Sequence, residues 1–201
     1  MNSNKTLALS AMLLAACTAL QPPRVDYPAL YLLDAQPAGA AKRAPRNLVL
    51  AVEAPRARPG FATAQMAYVR DAHRLDYYAN NRWVDAPARM LAPLLARSLD
   101  RSGAFRAVVG ASSPVAADLR LDTELVRLQQ DFATQPSRVQ LTLHAQLIDL
   151  HTRQVLGTME FDAAESAPSE DAYGGAVAAN RALQRVLEQL VEFCAAASGG
   201  S

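Results

Sequence analysis

The residues of this chain best suited to chemistry are three histidines and the carboxylates near them. His73 stands between Asp71 and Asp76, close enough along the chain to form an acid–base pair or part of a metal site, as a small hydrolase would need. The same stretch also reads as a hairpin turn, where Asp and His are frequent for backbone reasons. His144 alternates onto the polar side of a strand, and His151 sits in the tight turn DLHTRQ. Neither has a third ligand nearby in sequence, which argues against zinc. Asp118, Asp122 and Glu124 lie beside Arg120 and Arg127, so cross-strand ion pairing or simple solvation accounts for them. The chain has no Gly-x-Ser-x-Gly elbow, no His-Glu-x-x-His, no Cys-x-x-Cys and no phosphate-cradling glycine loop. The reading is of a protein with no catalytic residue, no metal ligand set and no cofactor.

The other reactive group is Cys17. Residues 1–5 carry one positive charge, at Lys5, and Thr6 to Ala16 form an uncharged, mostly apolar run. That run is shorter than the roughly twenty residues a membrane-spanning helix needs, and it fits the apolar region of a secretory leader. It ends Leu14-Ala15-Ala16-Cys17, which resembles the lipobox of bacterial lipoproteins. The resemblance implies cleavage after Ala16, with a diacylglyceryl group and an N-acyl chain on Cys17. Several acyl chains hold a protein firmly to a membrane, since each buried methylene contributes about 0.8 kcal/mol. Thr18 in place of an Asp favours the outer over the inner membrane on the same resemblance.

Removing the leader takes Lys5 from the 20 basic residues and leaves 19 against 19 acidic ones. That balance gives no basic stripe for nucleic acid and no polybasic cluster for an anionic lipid surface. With Cys17 acylated, Cys194 has no intramolecular partner and is expected to be a small buried apolar residue.

The elements that position these groups follow from periodicity. Residues 17–28 hold three prolines and read as a lipidated tether, followed by one domain over 29–194 and a disordered tail over 195–201. Ala29–Asp34 and Asn47–Glu53 are strand candidates, and MAYVR and RLDYYAN form a hairpin through Asp71-Ala72-His73. A helix is expected over Asp85 to Arg101, capped by Asp85, with Pro87 in its first turn and Gly103 closing it. Phe105–Val109 gives a short strand. Three long alternating strands follow, with slips at Val126–Leu128 and Ile148–Leu150 that bulges or strand ends would explain. Ser169 is expected to cap a last helix carrying Leu183, Leu187, Leu190 or Val191, and Cys194 on one face. The fold class is α+β: a mainly antiparallel sheet with two helices on one face.

The block from Phe61 to Val109 resembles the ABC-type transport auxiliary lipoproteins. The residues that carry the resemblance are Met66-x-Tyr68, Tyr77-Tyr78, Asn81-Arg82-Trp83 with Pro87 behind them, and the helix closing on Leu99 before Ser102-Gly103-x-Phe105. YLLD at Tyr31–Asp34, LAVEAP at Leu50–Pro55 and the hairpin from Leu147 to Gly157 extend it over most of the mature chain. The resemblance implies a role without catalysis, as an accessory to ABC transporters and mammalian-cell-entry (MCE) domain proteins that move lipids across the envelope. Its implied partners are an MCE-domain protein and its ABC subunits, with the outer membrane reached through the lipid anchor. A structural or assembly lipoprotein of another envelope machine, such as a secretion channel or a cell-wall synthase activator, is the alternative role.

Aromatic residues anchor interfaces disproportionately. Trp83 is the single tryptophan, with Tyr77 and Tyr78 close in sequence, although a place in the core is the stronger reading for Trp83 itself. Phe132, in the loop from Gln130 to Arg138, is expected at an exposed hairpin tip. These four are the candidate partner-binding residues. A sheet covered on one side leaves its second face open for self-association, so a homo-oligomer is compatible with the pattern.

Overall fold

A computed structural model of the chain describes residues 27–35, 46–110 and 112–199. The leader, Cys17 and most of the tether lie outside the described residues. The strands are β1 (Ala29–Tyr31), β2 (Arg46–Val52), β3 (Arg56–Ala57), β4 (Gln65–Val69), β5 (Asp76–Trp83), β6 (Phe105–Gly110), β7 (Leu119–Asp131), β8 (Arg138–Asp149) and β9 (Val155–Ser166). The helices are α1 (Pro87–Arg101) and α2 (Ala172–Ala197).

β7 is the spine. Along one edge it pairs antiparallel with β8 from Leu119↔Asp149 to Asp131↔Arg138, and β8 pairs antiparallel with β9. Along the other edge three short strands run parallel to it in turn: β2 beside Leu119–Leu121, β3 beside Glu124–Leu125 and β4 beside Gln129–Asp131. β6 adds parallel to β2, while β5 adds antiparallel to β4 and β1 parallel to β5. The α+β class is as expected, but the sheet is mixed, with β1, β2, β3, β4 and β6 all taking parallel neighbours and β5 antiparallel to β4. A parallel neighbour needs a crossover, and α1 lies on the chain between β2 and β6 to provide one.

Both helices cover one face. Twelve leucines, from Leu50 to Leu190, are fully buried there. Only Trp83, Phe105 and Phe161 add aromatic bulk to this buried set, so the core is essentially aliphatic. Each buried leucine contributes about 1.5–3 kcal/mol of transfer free energy. On β7 the inward positions are Leu119, Leu121, Thr123 and Leu125, then Leu128 and Gln130. The change of phase is a bulge between Leu125 and Arg127, at the slip the alternation had marked.

The helix termini differ from expectation. Asp85 does not cap α1; it accepts from the Ala86 N–H and pairs with Arg89, while Pro87 opens the helix without needing a donor partner. Gly103 ends α1 at φ +65, a conformation glycine takes without a Cβ penalty. The cap of α2 is Asp171, whose Oδ1 accepts from the Gly174 N–H at 2.8 Å. Ser169, expected in that role, instead donates to Asp171 at 2.7 Å. α2 also runs on to Ala197, past the expected end of the domain at Cys194, and Ser198 accepts a bond from Arg46 at 2.8 Å. Cys194 is fully buried, and burial pushes its thiol up to about 12. One side chain on α2, Asn180, holds the entering chain: it donates to the Leu32 carbonyl and accepts from the Asp34 and Ala35 N–H groups.

The first turn of α2 contains Gly174 and Gly175, both buried. A Cβ on Gly174 would strike the Ser169 carbonyl, and one on Gly175 would strike the Gln130 side-chain oxygen. Alanine normally stabilises a helix by about 1 kcal/mol over glycine. Here Gly175→Ala and Gly174→Ala are each expected to lower unfolding stability by about 1–3 kcal/mol, because the neighbours struck are held in place. Urea denaturation checks the sign, and a stabilised Gly175→Ala would contradict the packing described.

Candidate docking surface

The candidate aromatics fall into three different places. β4 and β5 pair irregularly: Gln65 faces Arg82 but Ala67 faces Tyr77, so β5 carries extra residues between those registers. That irregularity puts Tyr78 and Trp83 on the helix side although they lie an odd number of residues apart, and both border one small recess with Met66 and Gly175. Trp83 is 4 % exposed and belongs to the core, so it is not available to a partner. Tyr77 points to the opposite side of the sheet, where its hydroxyl donates to the Gly60 carbonyl at 3.0 Å. It pins the turn Pro59–Phe61 against β5.

Tyr78 and Phe132 do come together, through Tyr68. The Tyr68 and Tyr78 ring centroids are 4.9 Å apart, and Tyr68 meets Phe132 edge-on at 5.9 Å. The Arg70 guanidinium lies 5.3 Å from the centroids of both Tyr68 and Phe132. Phe132 is therefore half-buried against its neighbours and not free at a tip; its N–H also continues the β4 ladder by donating to the Val69 carbonyl at 2.9 Å. The group gathers at the end of β7, where β4 and the β7–β8 connection meet. Arg70 is the member missed in the sequence, since an arginine two residues past Tyr68 gives no signal without knowing that Phe132 sits across from it.

A buried polar chain fixes this cluster to the core. The Tyr78 hydroxyl donates to Gln130 Oε1 at 2.9 Å, Gln130 Nε2 donates to Ser137 Oγ at 2.8 Å, and the Ser137 N–H donates to Glu170 at 2.9 Å. Gln130 and Ser137 are buried, so each of these bonds replaces one to water that the fold has removed. Burial, and then the nearby Asp171 carboxylate, push the Tyr78 phenol up to about 12. The aromatic group is thus rigid on its inner side and half-exposed on its outer side, as an interface anchor needs.

Two of the histidines, His73 and His151, sit in turns beside carboxylates. His73 occupies the β4–β5 turn at φ 66, and the two carboxylates beside it are engaged by Arg74, at 3.5 Å for Asp71 and 3.0 Å for Asp76. Among the described residues no group of three His, Cys, Asp or Glu side chains gathers as metal ligands would. At the far end of β7, Asp118 accepts from the Val49 N–H at 2.7 Å and meets His151 Nε2 at 3.0 Å, tying the β8–β9 turn to β2. No helix among the described residues is long and apolar enough to cross a membrane.

The model of the ABC-type transport auxiliary lipoprotein component matches residues 31–191. The chain belongs to this family. It is therefore an auxiliary component of ABC-type transport, of a lipoprotein family. Its fold resembles the crystal structure of protein XCC0632 from Xanthomonas campestris, of family DUF330, with a TM-score of 0.77 at 20% identity over 84% of this chain and 96% of that one. An uncharacterized protein gives 0.66 at 15% identity over 84% and 99% of the two chains. The hypothetical protein CT253 from Chlamydia trachomatis gives 0.53 at 11% identity over 78% and 100%. These identities speak to the fold alone. Comparison with curated proteins returns no match.

The Asp118–His151 contact carries a pH prediction. The hydrogen bond to Asp118 raises the His151 pKa above its ordinary 6.5, and the same bond, with that from Val49, lowers the Asp118 carboxyl. Stabilisation from His151 is then fully present below 6.5 and lost as pH rises through the raised value. That from Asp118 is lost as pH falls through its lowered value. NMR titration of the imidazole is expected to give a midpoint above 6.5 that returns to it in Asp118→Asn. An unshifted midpoint in the parent chain would remove the contact.

Proposed function

We propose that this chain is a non-catalytic, periplasm-facing lipoprotein, anchored through Cys17, that docks the periplasmic part of an ABC/MCE-type lipid transport system at the outer membrane. The family match over residues 31–191 carries the reading. Three features support its details. The Leu14–Cys17 sequence has the pattern of a lipidation site. The carboxylates beside His73 are occupied by Arg74, which leaves that histidine without a base or an orienting partner. The half-exposed group of Tyr68, Tyr78 and Phe132 offers one aromatic anchor surface to a protein partner. ATP hydrolysis belongs to another subunit, since the chain has no phosphate-binding glycine loop.

Purification of the tagged chain from its native envelope in mild detergent, with mass spectrometry of what accompanies it, tests the role. An MCE-domain protein with a permease and an ATPase is expected. Cell-wall or secretion components in their place would overturn the partner assignment. Phe132→Ala is expected to cut recovery of those partners about tenfold, the effect of losing one interface anchor of roughly 1.4 kcal/mol. Recovery unchanged in that variant would move the interface elsewhere. Anchoring has its own test: Cys17→Ser should release the chain from membranes or leave an uncut precursor, and normal processing with membrane retention would refute lipidation at that residue.

A further inference from the structure

The uncovered face of the sheet carries a groove of about 620 Å³ beside the bulge in β7, within the size range of small-molecule sites. Its formation follows from the bulge. After Leu125 the inward positions resume at Leu128, and both Val126 and Arg127 border the groove. The Arg58 N–H donates to the Leu125 carbonyl at 3.0 Å, which sets Arg58 next to the same bulge. Arg70 enters from the end of β4. Between these arginines the groove is lined by Phe61, Leu75 and the buried Val126.

The charges around it do not cancel. Four arginines and two aspartates line the groove, and Asp76, paired to Arg74 behind it, brings the local excess to one positive charge. Arg74 is neutralised by Asp71 and Asp76. Asp131 is held by the Ala133 N–H and by Gln140. Arg127 donates to the neutral Gln140 side chain, and neither it nor Arg58 has a carboxylate partner among the described residues. Guanidinium groups without a carboxylate partner present planar donor forks that match a phosphate or carboxylate oxygen pair. An acidic peptide is the weaker match. Along the groove β8 takes one edge of β7, while β3 and β4 take the other at Glu124–Leu125 and Gln129–Asp131, so the stretch left between them is too short for a peptide strand to join. An apolar floor beneath unpaired arginines suits an amphiphile.

We propose that this groove binds an anionic phospholipid, with Arg58 and Arg127 on the phosphodiester and Phe61, Leu75 and Val126 against the start of the acyl chains. The proposal goes beyond the transport role and is tested on the chain alone, so partner recovery and lipid binding can fail separately.

The test uses the full chain carrying Cys17→Ser, which removes acylation, titrated by NMR with dihexanoyl phosphatidylglycerol below its micelle-forming concentration. Saturable shifts are expected at the Arg58 and Arg127 side-chain N–H signals and at the Leu75 and Val126 methyls. Arg58→Gln combined with Arg127→Gln, two exposed positions outside the core, should weaken binding about tenfold or more while the rest of the spectrum is kept. Dihexanoyl phosphatidylcholine and inorganic phosphate should each bind at least about tenfold more weakly, the first for its opposing choline charge and the second for lack of apolar contact. No saturable shift, or equal binding by the double variant, would overturn the site. Phosphate binding as tightly as the lipid would make it a phosphate site, equal binding of the choline lipid would remove the role of charge, and tighter binding of an Asp/Glu hexapeptide would make it a peptide site; each contradicts the proposal.

Discussion

A strand of thirteen residues with neighbours on both sides has to pair its backbone N–H and C=O groups along its whole length, since buried polar groups without partners cost about 1–3 kcal/mol each. β7 has one long partner on one edge and, on the other, three short ones in succession at Leu119–Leu121, Glu124–Leu125 and Gln129–Asp131. The described strands of the first half of the chain are ordered around β7. β2, β3 and β4 are successive stops of one segment travelling beside β7, and the turns between them are where the chain steps along to the next stretch of open backbone. β6 then joins through α1, and β5 and β1 build outward from β4.

The bulge in β7 divides the strand into two functions. Before it, the inward residues are three leucines and Thr123, on the side the helices cover. After it, the inward row ends on Gln130, a buried amide that α2 accommodates only because Gly175 presents no side chain. Gln130 joins Tyr78 to Ser137, and Ser137 meets Glu170 just before the cap of α2. One polar side chain therefore connects β5, the β7–β8 connection and the entrance to α2. In a low-dielectric site such a network holds its members in a single arrangement, which is why the aromatic group outside it has a defined shape.

The long strands, both helices and the phase slip at Val126 were legible because burial imposes a period, and a break in the period marks a bulge. The parallel strands were not. β3 is two residues long, and β2 was legible as a strand while its neighbours depended on contacts more than fifty residues away. Caps were misplaced for a related reason: Asp85, Ser169 and Asp171 are all acceptable cap residues, and the choice is made by where the preceding chain arrives. For the candidate site, residue type identified the right kind of side chain but not its side of the sheet. Tyr77 and Tyr78 are adjacent and face opposite ways, and the irregular β5 pairing turns Trp83 inward. The alignment of Tyr68, Arg70 and Phe132 required knowing that β4 runs beside the end of β7.

The same bulge that brings Gln130 under the helices turns Arg127 toward the open face, so core and groove are two consequences of one inserted residue. This has a bearing on what the sheet is for. A strand serving only to bury leucines would keep strict alternation, because a bulge leaves a residue out of the ladder and adds twist. Here the unpaired residue, Val126, borders the groove on the open face, and beside it stand two arginines without carboxylate partners. An exposed ion pair is worth little, so stability alone does not set the partners of these guanidinium groups. In the proposed site the ligand would supply the negative charge, and the helices on the other face hold the strand that presents them.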